Sequence, residues 1–541
     1  MSAWITALPQ ARRQASANAV GQRLLVGLGA PVPSNDPGLE FTLLTYSVAV
    51  SSLIGVKDGE KELRRSAELA FETARAIQHS SDRLHILQTA CYGVIADRTP
   101  DVARYLRSQP LPASPASDDN WGVAVRDEVY RLWLLLLRKD GWADLDAVLH
   151  GIVDLRKRQA EAEESYLNKA GNPRGSAWAL IASYHLAKAA EILAEYSAQG
   201  SVDGSFDIRA QLQGQFDRSL TACERAELID LYGVVQLLAA TAEKMVANSI
   251  WTVTRAVNSR VSRFVTNLVA RAHQKPIFEM LPPQRITLRE NNLLGSSQRA
   301  VVVSLPTSSG KTFIAQFRIL QALNQFDADK GWVVYVAPTR ALVNQICAKL
   351  RRDFTPLGIN VERISPALDI DGVEAELLND KNDATAFRVL VATPEKMDML
   401  LRGGWEAKIG RPLTLVVVDE AHNLSGGERG LKLELLLATI NRECRHSQFL
   451  LLTPFIKNGA EIARWLDPDS HSDISVDFEW RPNDRAIAVA MPVAGEKRGE
   501  YQLQLATVHT SKNTIQIEDE IELCSGRALG LSWSNVRTST S

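Results

Sequence analysis

Cysteine is scarce in this chain: Cys91, Cys223, Cys347, Cys444 and Cys524 are five among 541 residues, and no two form a Cys-x-x-Cys pair. That spacing excludes a zinc ribbon and a disulfide scaffold, and it suits free thiols in a reducing compartment. Long hydrophobic runs are missing too. Residues 132–137 are among the longest apolar stretches, far short of the ~20 residues a bilayer span needs. The first residues, Met1-Ser2-Ala3-Trp4-Ile5, lack the basic-then-apolar order of a secretory signal. The expectation is a cytoplasmic protein with no membrane partner. Charge of one sign is also lacking. Lys and Arg total 61 against 63 Asp and Glu, a formal charge of -2, so no long-range basic field gathers nucleic acid and any such binding must sit in a local groove.

What is present is an ordinary globular composition, 45% hydrophobic and 23% charged, on a chain too long for one core. Through residue 280 apolar residues recur at three and four spacings among Ala, Leu, Glu and Arg, which predicts a large all-α region. The clearest helical segments are 43–54, 60–77, 82–95, 123–137, 145–167, 177–196 and 208–256, with breaks at 29–38, 108–120, 171–175 and 200–205. The pieces suggest helix pairs in a bundle or a solenoid-like stack. Tyr130, Trp133 and Trp142 read as core aromatics. From 281 the texture changes. Short runs of Val, Ile and Leu at 300–303, 332–336, 360–364, 388–392, 413–418 and 448–452 alternate with helical stretches, which predicts one parallel, doubly wound α/β sheet over 281–470. Beyond it the strand candidates alternate and shorten, at 474–478, 485–490, 502–508 and 514–523.

The stretch 299–312 carries the first chemical signal. A buried strand breaks into Leu305-Pro306-Thr307-Ser308-Ser309-Gly310, and Lys311-Thr312 opens an amphipathic helix. Backbone N–H groups of such a turn and the positive end of the helix converge on one point, where they can hold the β- and γ-phosphates of a nucleotide. Lys311 supplies a point charge and Thr312 a hydroxyl for Mg2+. The general pattern has Gly where Leu305 stands, so the match is partial.

The second signal is Val416-Val417-Val418-Asp419-Glu420-Ala421-His422, a buried strand delivering two adjacent carboxylates at its carboxyl end. Asp419 is placed to hold Mg2+, mostly through water, and Glu420 to accept a proton from attacking water. The pair suits activation of water better than a small-molecule kinase. Together the two motifs, Asp419-Glu420-Ala421-His422 and the 305–312 turn, resemble the DEAD/DEAH-box helicases of superfamily 2, particularly the branch with archaeal repair helicases and exosome-associated RNA helicases.

That resemblance implies a RecA-like P-loop lobe over 281–470 that binds ATP and Mg2+, with Thr307, Ser308, Ser309, Gly310, Lys311, Thr312 and His422 at the nucleotide. Leu281-Pro282-Pro283-Gln284 looks like the family's glutamine motif, which implies that Gln284 reads adenine. Ala337-Pro338-Thr339-Arg340-Ala341-Leu342 looks like motif Ia and Ala392-Thr393-Pro394-Glu395-Lys396 like motif Ib. Arg429-Gly430 with Leu433-Glu434 resembles a motif that follows the DEAH box in this branch. Thr339, Arg340, Thr393, Pro394 and Arg429 are thereby implicated at the backbone of DNA or RNA, in contacts that ignore base sequence.

Two departures stand out. Thr453-Pro454-Phe455 occupies the place of the family's Ser-Ala-Thr, so one hydroxyl remains and Pro454 removes a backbone donor. The resemblance runs from about 281 to 490, and no Gln-x-x-Gly-Arg-x-x-Arg pattern follows. The expectation is a helicase or translocase subunit with its first lobe only, truncated or split. Residues 471–541 would be a linker and an incomplete start of a second lobe, and a separate protein would supply that lobe for unwinding. The rival expectation is a non-enzymatic scaffold whose helical region recruits partners under nucleotide control.

Overall fold

The computed structural model describes residues 60–76, 82–109, 120–272, 275–295, 298–306, 309–363, 387–402, 409–454, 458–469, 473–475, 486–494, 501–510 and 521–523. The expected helix at 43–54, the linker at 477–482, and Thr307 and Ser308 lie outside them. The chain divides into two compact units: Met1–Tyr196 with Ser201–Met245 and Pro482–Ser541, and Val246–Arg481 with Ser197–Gly200. No described helix is long and apolar enough to cross a membrane.

In the first unit the described helices are α1 (Glu60–Ala76), α2 (Arg83–Ile95), α3 (Thr99–Ser108), α4 (Trp121–Arg138), α5 (Trp142–Lys169), α6 (Pro173–Gln199), α7 (Arg209–Arg225) and α8 (Ile229–Asn248). α4 starts where the Asn120 side chain accepts from the Val123 N–H at 3.3 Å, and it stops where Lys139 turns left-handed. Trp133, fully buried on α4, donates its indole N–H to the Leu186 carbonyl at 3.2 Å, as a core tryptophan must. The continuous helix expected over 208–256 is broken at Ala226–Leu228. Glu227 takes φ +56°, and the Leu228 N–H reaches back to the Cys223 carbonyl at 3.0 Å. A helix C-cap this short leaves the apolar spacing on either side in phase, so periodicity runs through it.

Strands β8 (Ala486–Ala494), β9 (Tyr501–Thr510) and β10 (Ile521–Leu523) form a separate antiparallel sheet, ordered β10-β9-β8. These are the described strands of the stretch after 475, within the region where a linker and the start of a second lobe are expected.

The second unit is built on seven parallel strands, β1 (Ala300–Ser304), β2 (Trp332–Val336), β3 (Val361–Arg363), β4 (Val389–Ala392), β5 (Leu413–Val418), β6 (Gln448–Thr453) and β7 (Asp473–Ser475), ordered β3-β4-β2-β5-β6-β1-β7. β1, β2, β4 and β5 are buried along their whole length, as runs of valine and leucine covered on both faces require. The helices of this unit are α9 (Ile250–Val253), α10 (Ser259–Val269), α11 (Pro282–Arg285), α12 (Lys311–Gln325), α13 (Arg340–Phe354), α14 (Pro394–Arg402), α15 (Gly427–Glu443) and α16 (Gly459–Leu466). The doubly wound α/β lobe with a large helical region before it is the architecture the pattern predicts.

The unit begins at Val246 rather than 281, because the segment between is bonded into it. The Ile250 N–H donates to Phe278 O at 3.0 Å, and the Phe264 ring of α10 packs edge-on against Phe317 of α12 at 5.4 Å and Phe354 of α13 at 5.8 Å. β7 likewise extends the sheet past 470, pairing Val302 with Asp473.

Candidate nucleotide site and the cleft beside it

Parallel strands deliver all their carboxyl ends to one edge, and in the strand order β6 stands between β1 and β5. The turn after β1 and the carboxylates after β5 therefore emerge one strand apart, with Thr453 of β6 between them. Thr453 is paired with Ser304, and its carbonyl accepts the Leu305 N–H at 2.9 Å. Leu305 is buried, so the side chain at the pattern's missing glycine is spent on packing.

The phosphate turn is held from below. Ser309, fully buried, donates its hydroxyl to Pro306 O at 2.7 Å. Gly310 sits at φ +84°, where a side chain is strained, and a Cβ there would lie 2.2 Å from Gln284 Nε2. Gln284 itself accepts from the Leu281 N–H at 3.0 Å and donates to the Ser309 carbonyl at 2.9 Å. Both polar atoms of the residue expected at adenine are thus engaged, Oε1 at the start of α11 and Nε2 on the turn. Neighbouring Arg285 binds Asn248 and Glu290 of the same unit.

Lys311, the first residue of α12, is buried, and its Nζ has no hydrogen-bond partner. Burial pushes its pKa down, opposed by the negative charges of Glu420 and Asp419. Nζ lies 3.8 Å from Glu420 Oε1. Glu420 occupies a left-handed conformation, φ 52° and ψ 48°, which costs a non-glycine residue about 1 kcal/mol. The Asn423 side chain donates to its carbonyl at 2.9 Å. The Glu420 carboxylate stands between Lys311 and His422, whose Nδ1 is 3.3 Å away.

Asp419 is anchored by its N–H to Val336 O at 2.9 Å. Its Oδ1 accepts from the Glu420 N–H at 3.0 Å and its Oδ2 from the Tyr335 hydroxyl at 3.0 Å. Burial raises its pKa above the ordinary carboxylate range; the Tyr335 bond opposes this and the Glu420 charge adds to it. Tyr335 is completely buried, and its phenol is pushed well above its usual range by burial and then by Asp419.

The donor set fits a nucleotide with its metal. A buried ammonium with no hydrogen bond lies at a helix start, which is chemistry suited to a phosphate. Asp419 and Thr312 offer oxygens suited to a hard cation.

On the other side of Asp419 a cleft opens at the ends of β2, β4 and β5, lined by Pro338, Thr339, Pro394, Glu395, Asn423 and Arg429 among others. It gathers Thr339, Pro394 and Arg429 from the expected nucleic-acid set. Arg340 and Thr393 do not line it: Arg340 is exposed at the first turn of α13, and the Thr393 carbonyl accepts the Met397 N–H at 3.0 Å where α14 begins. The Thr339 hydroxyl caps α13 by accepting the Leu342 N–H at 3.3 Å. Tyr335, Asn423 and Glu395 were absent from the expected set. A tyrosine inside an otherwise apolar strand was the one available signal, since a buried hydroxyl needs a partner.

The DEAD/DEAH box helicase family matches residues 283–457. The ATP-dependent DNA helicase Hel308 of Methanocella arvoryzae is 31% identical over 207 residues, 38% of this chain and 25% of that protein. The Hachiman protein HamB of Bacillus cereus is 28% identical over 215 residues, 39% of this chain and 18% of that protein. The chain thus spans a quarter or less of the length of these relatives. Among solved structures, the DUF1998 helicase MrfA bound to DNA and AMPPNP aligns with a TM-score of 0.32 at 18% identity, covering 40% of this chain and 28% of that one. With its turn after β1 and its Asp-Glu-Ala-His after β5, the stretch 283–457 matches the DEAD/DEAH box helicase family and is similar to the ATP-dependent DNA helicase Hel308 over that part of the chain.

Proposed function

We propose that this lobe binds Mg-ATP and grips the phosphodiester backbone of DNA or RNA, as the ATP-binding lobe of a helicase or translocase. The single observation carrying this reading is the buried Lys311 Nζ, which makes no hydrogen bond and faces the Asp419–Glu420 pair. An ammonium without a hydrogen-bond partner in a low-dielectric place is costly, and phosphate oxygens are the acceptors that the turn and the helix start also favour. Asp419 and Thr312 would hold Mg2+, which when bound neutralises charge between the β- and γ-phosphates. Glu420 would accept the proton of the attacking water, oriented by the neighbouring His422. Thr307 and Ser308 would complete the turn, and Gln284 would stand at the adenine side while bracing the turn from beneath.

The cleft with Thr339, Pro394 and Arg429, flanked by Arg340 and Thr393, would take a strand by its phosphates without regard to sequence. One lobe touches the phosphates from one side, and an arginine reaching them from another lobe is worth ~10^3 to 10^5 in rate. A separate protein could supply such a group. We therefore expect the 541-residue polypeptide to bind Mg-ATP well, turn it over slowly and unwind nothing unaided. Calorimetric titration with Mg-ATP tests the binding, and phosphate release with and without single-stranded DNA and RNA tests the turnover. Absence of Mg-ATP binding, or strong stimulated turnover by this polypeptide alone, would overturn the corresponding half of the reading.

A further inference from the structure

We propose that Tyr335 is a positioning residue for the metal: its phenol sets the rotation of the Asp419 carboxylate, and so how firmly the site holds Mg2+. The inference rests on the Mg-ATP reading above. β2 is otherwise Trp332, Val333, Val334 and Val336, all buried, and a phenylalanine would fill the same space without carrying a hydroxyl out of water. The hydroxyl points instead at the chemistry. It donates to Asp419 Oδ2 at 3.0 Å, so the phenol touches a residue assigned to the metal.

The rest of the Asp419 environment shows what the phenol adds. The backbone is fixed by the bond to Val336 O, and Oδ1 is fixed by the Glu420 N–H. Oδ2 is held by the phenol. A carboxylate oxygen accepts about two hydrogen bonds, so each oxygen keeps capacity for a metal-bound water after these contacts. With Oδ2 released, the carboxylate is restrained at one oxygen and must be ordered when the metal arrives. Tyr335 itself cannot wander, since it is opposite Val417 of β5 in the register of a central strand. Outer partners of this kind typically contribute 10- to 100-fold in metal affinity.

The test is Tyr335→Phe in the 541-residue polypeptide, which keeps the ring and its packing. Binding of a fluorescent ATP analogue is titrated across Mg2+ concentrations and again in EDTA, and Mn2+ binding in the presence of nucleotide is followed by electron paramagnetic resonance. The expected result is a rise of about 10- to 100-fold in the Mg2+ needed for half-saturation, matching weaker Mn2+ binding, and unchanged nucleotide affinity in EDTA. In an Asp419→Asn background the same substitution should change nothing further, since the hydrogen bond it removes is already altered. Equal loss with and without metal, accompanied by a lower melting temperature, would show a purely structural role and overturn the proposal. So would an unchanged metal dependence. If the parent polypeptide itself shows no metal-dependent nucleotide binding, the Mg-ATP reading fails on the parent's own titration and this inference falls with it.

Discussion

Lys311 Nζ lies 3.8 Å from Glu420 Oε1, too far for a hydrogen bond, and that oxygen belongs to the carboxylate proposed to work on water. The two residues neutralise each other across a gap. On the proposed reading, a phosphate entering beside Lys311 would take over its charge and leave Glu420 to His422, which would couple binding to base activation through one ion pair.

Lys311→Ala should therefore cost binding and spare the fold. A charge-assisted hydrogen bond contributes about 1.5–3 kcal/mol, and Lys311 makes more than one at a phosphate, so calorimetry should show at least about a hundredfold weaker Mg-ATP binding. The melting temperature without nucleotide should change little, because the ammonium makes no hydrogen bond and the relief of its burial offsets the lost ion pair with Glu420.

Glu420→Gln should separate binding from turnover. The amide keeps the shape and can still bond His422, but it accepts no proton. Mg-ATP binding should persist while phosphate release falls by ~10^2 to 10^4 relative to the parent. Unchanged release would assign the base to another carboxylate.

Gly310→Ala should damage the turn through two separate effects. The methyl group meets Gln284 Nε2, and the backbone is held at φ +84°. Gln284→Ala in the same chain should relieve the clash and leave the backbone strain of about 1–2 kcal/mol. Thermal melts of both single variants and the double variant resolve the two contributions.

Arg429→Ala should weaken single-strand binding to the same degree for every base sequence. It should also make binding less sensitive to salt, by about one counterion for each phosphate that the guanidinium neutralises. Fluorescence anisotropy at several salt concentrations, on oligonucleotides of different sequence, reads both quantities. A sequence-dependent weakening would argue for recognition of a base.

The sheet was legible because its strands are short, mostly apolar runs rich in valine and leucine: the observed limits of β2 and β5 are those the runs themselves mark. The turn after β1 and the Asp419–Glu420 pair after β5 could be placed at the same sheet edge from the sequence because parallel strands deliver their carboxyl ends together. Other features were not, for identifiable reasons. The break at Glu227 is a backbone reversal with no glycine or proline to announce it. The start of the unit at Val246 depends on aromatic packing between α10 and α12, which no local pattern encodes. Tyr335 serves Asp419 from 84 positions away in the chain, a contact created by the pairing of β2 with β5. Gln284 was placed at a base by resemblance, whereas its two hydrogen bonds are to Leu281 and Ser309.

That last arrangement alters how a selectivity experiment must be read. Because one side-chain amide links the start of α11 to the Ser309 carbonyl, a site of the proposed kind would not register the two ends of a nucleotide as independent quantities. A variant at Gln284 would present at the bench as a loose grip on pyrophosphate and tripolyphosphate, ligands that carry no base at all. Discrimination between purine and pyrimidine triphosphates would then be a secondary reading of how well the loop is propped, and only baseless ligands run as controls would tell the two apart.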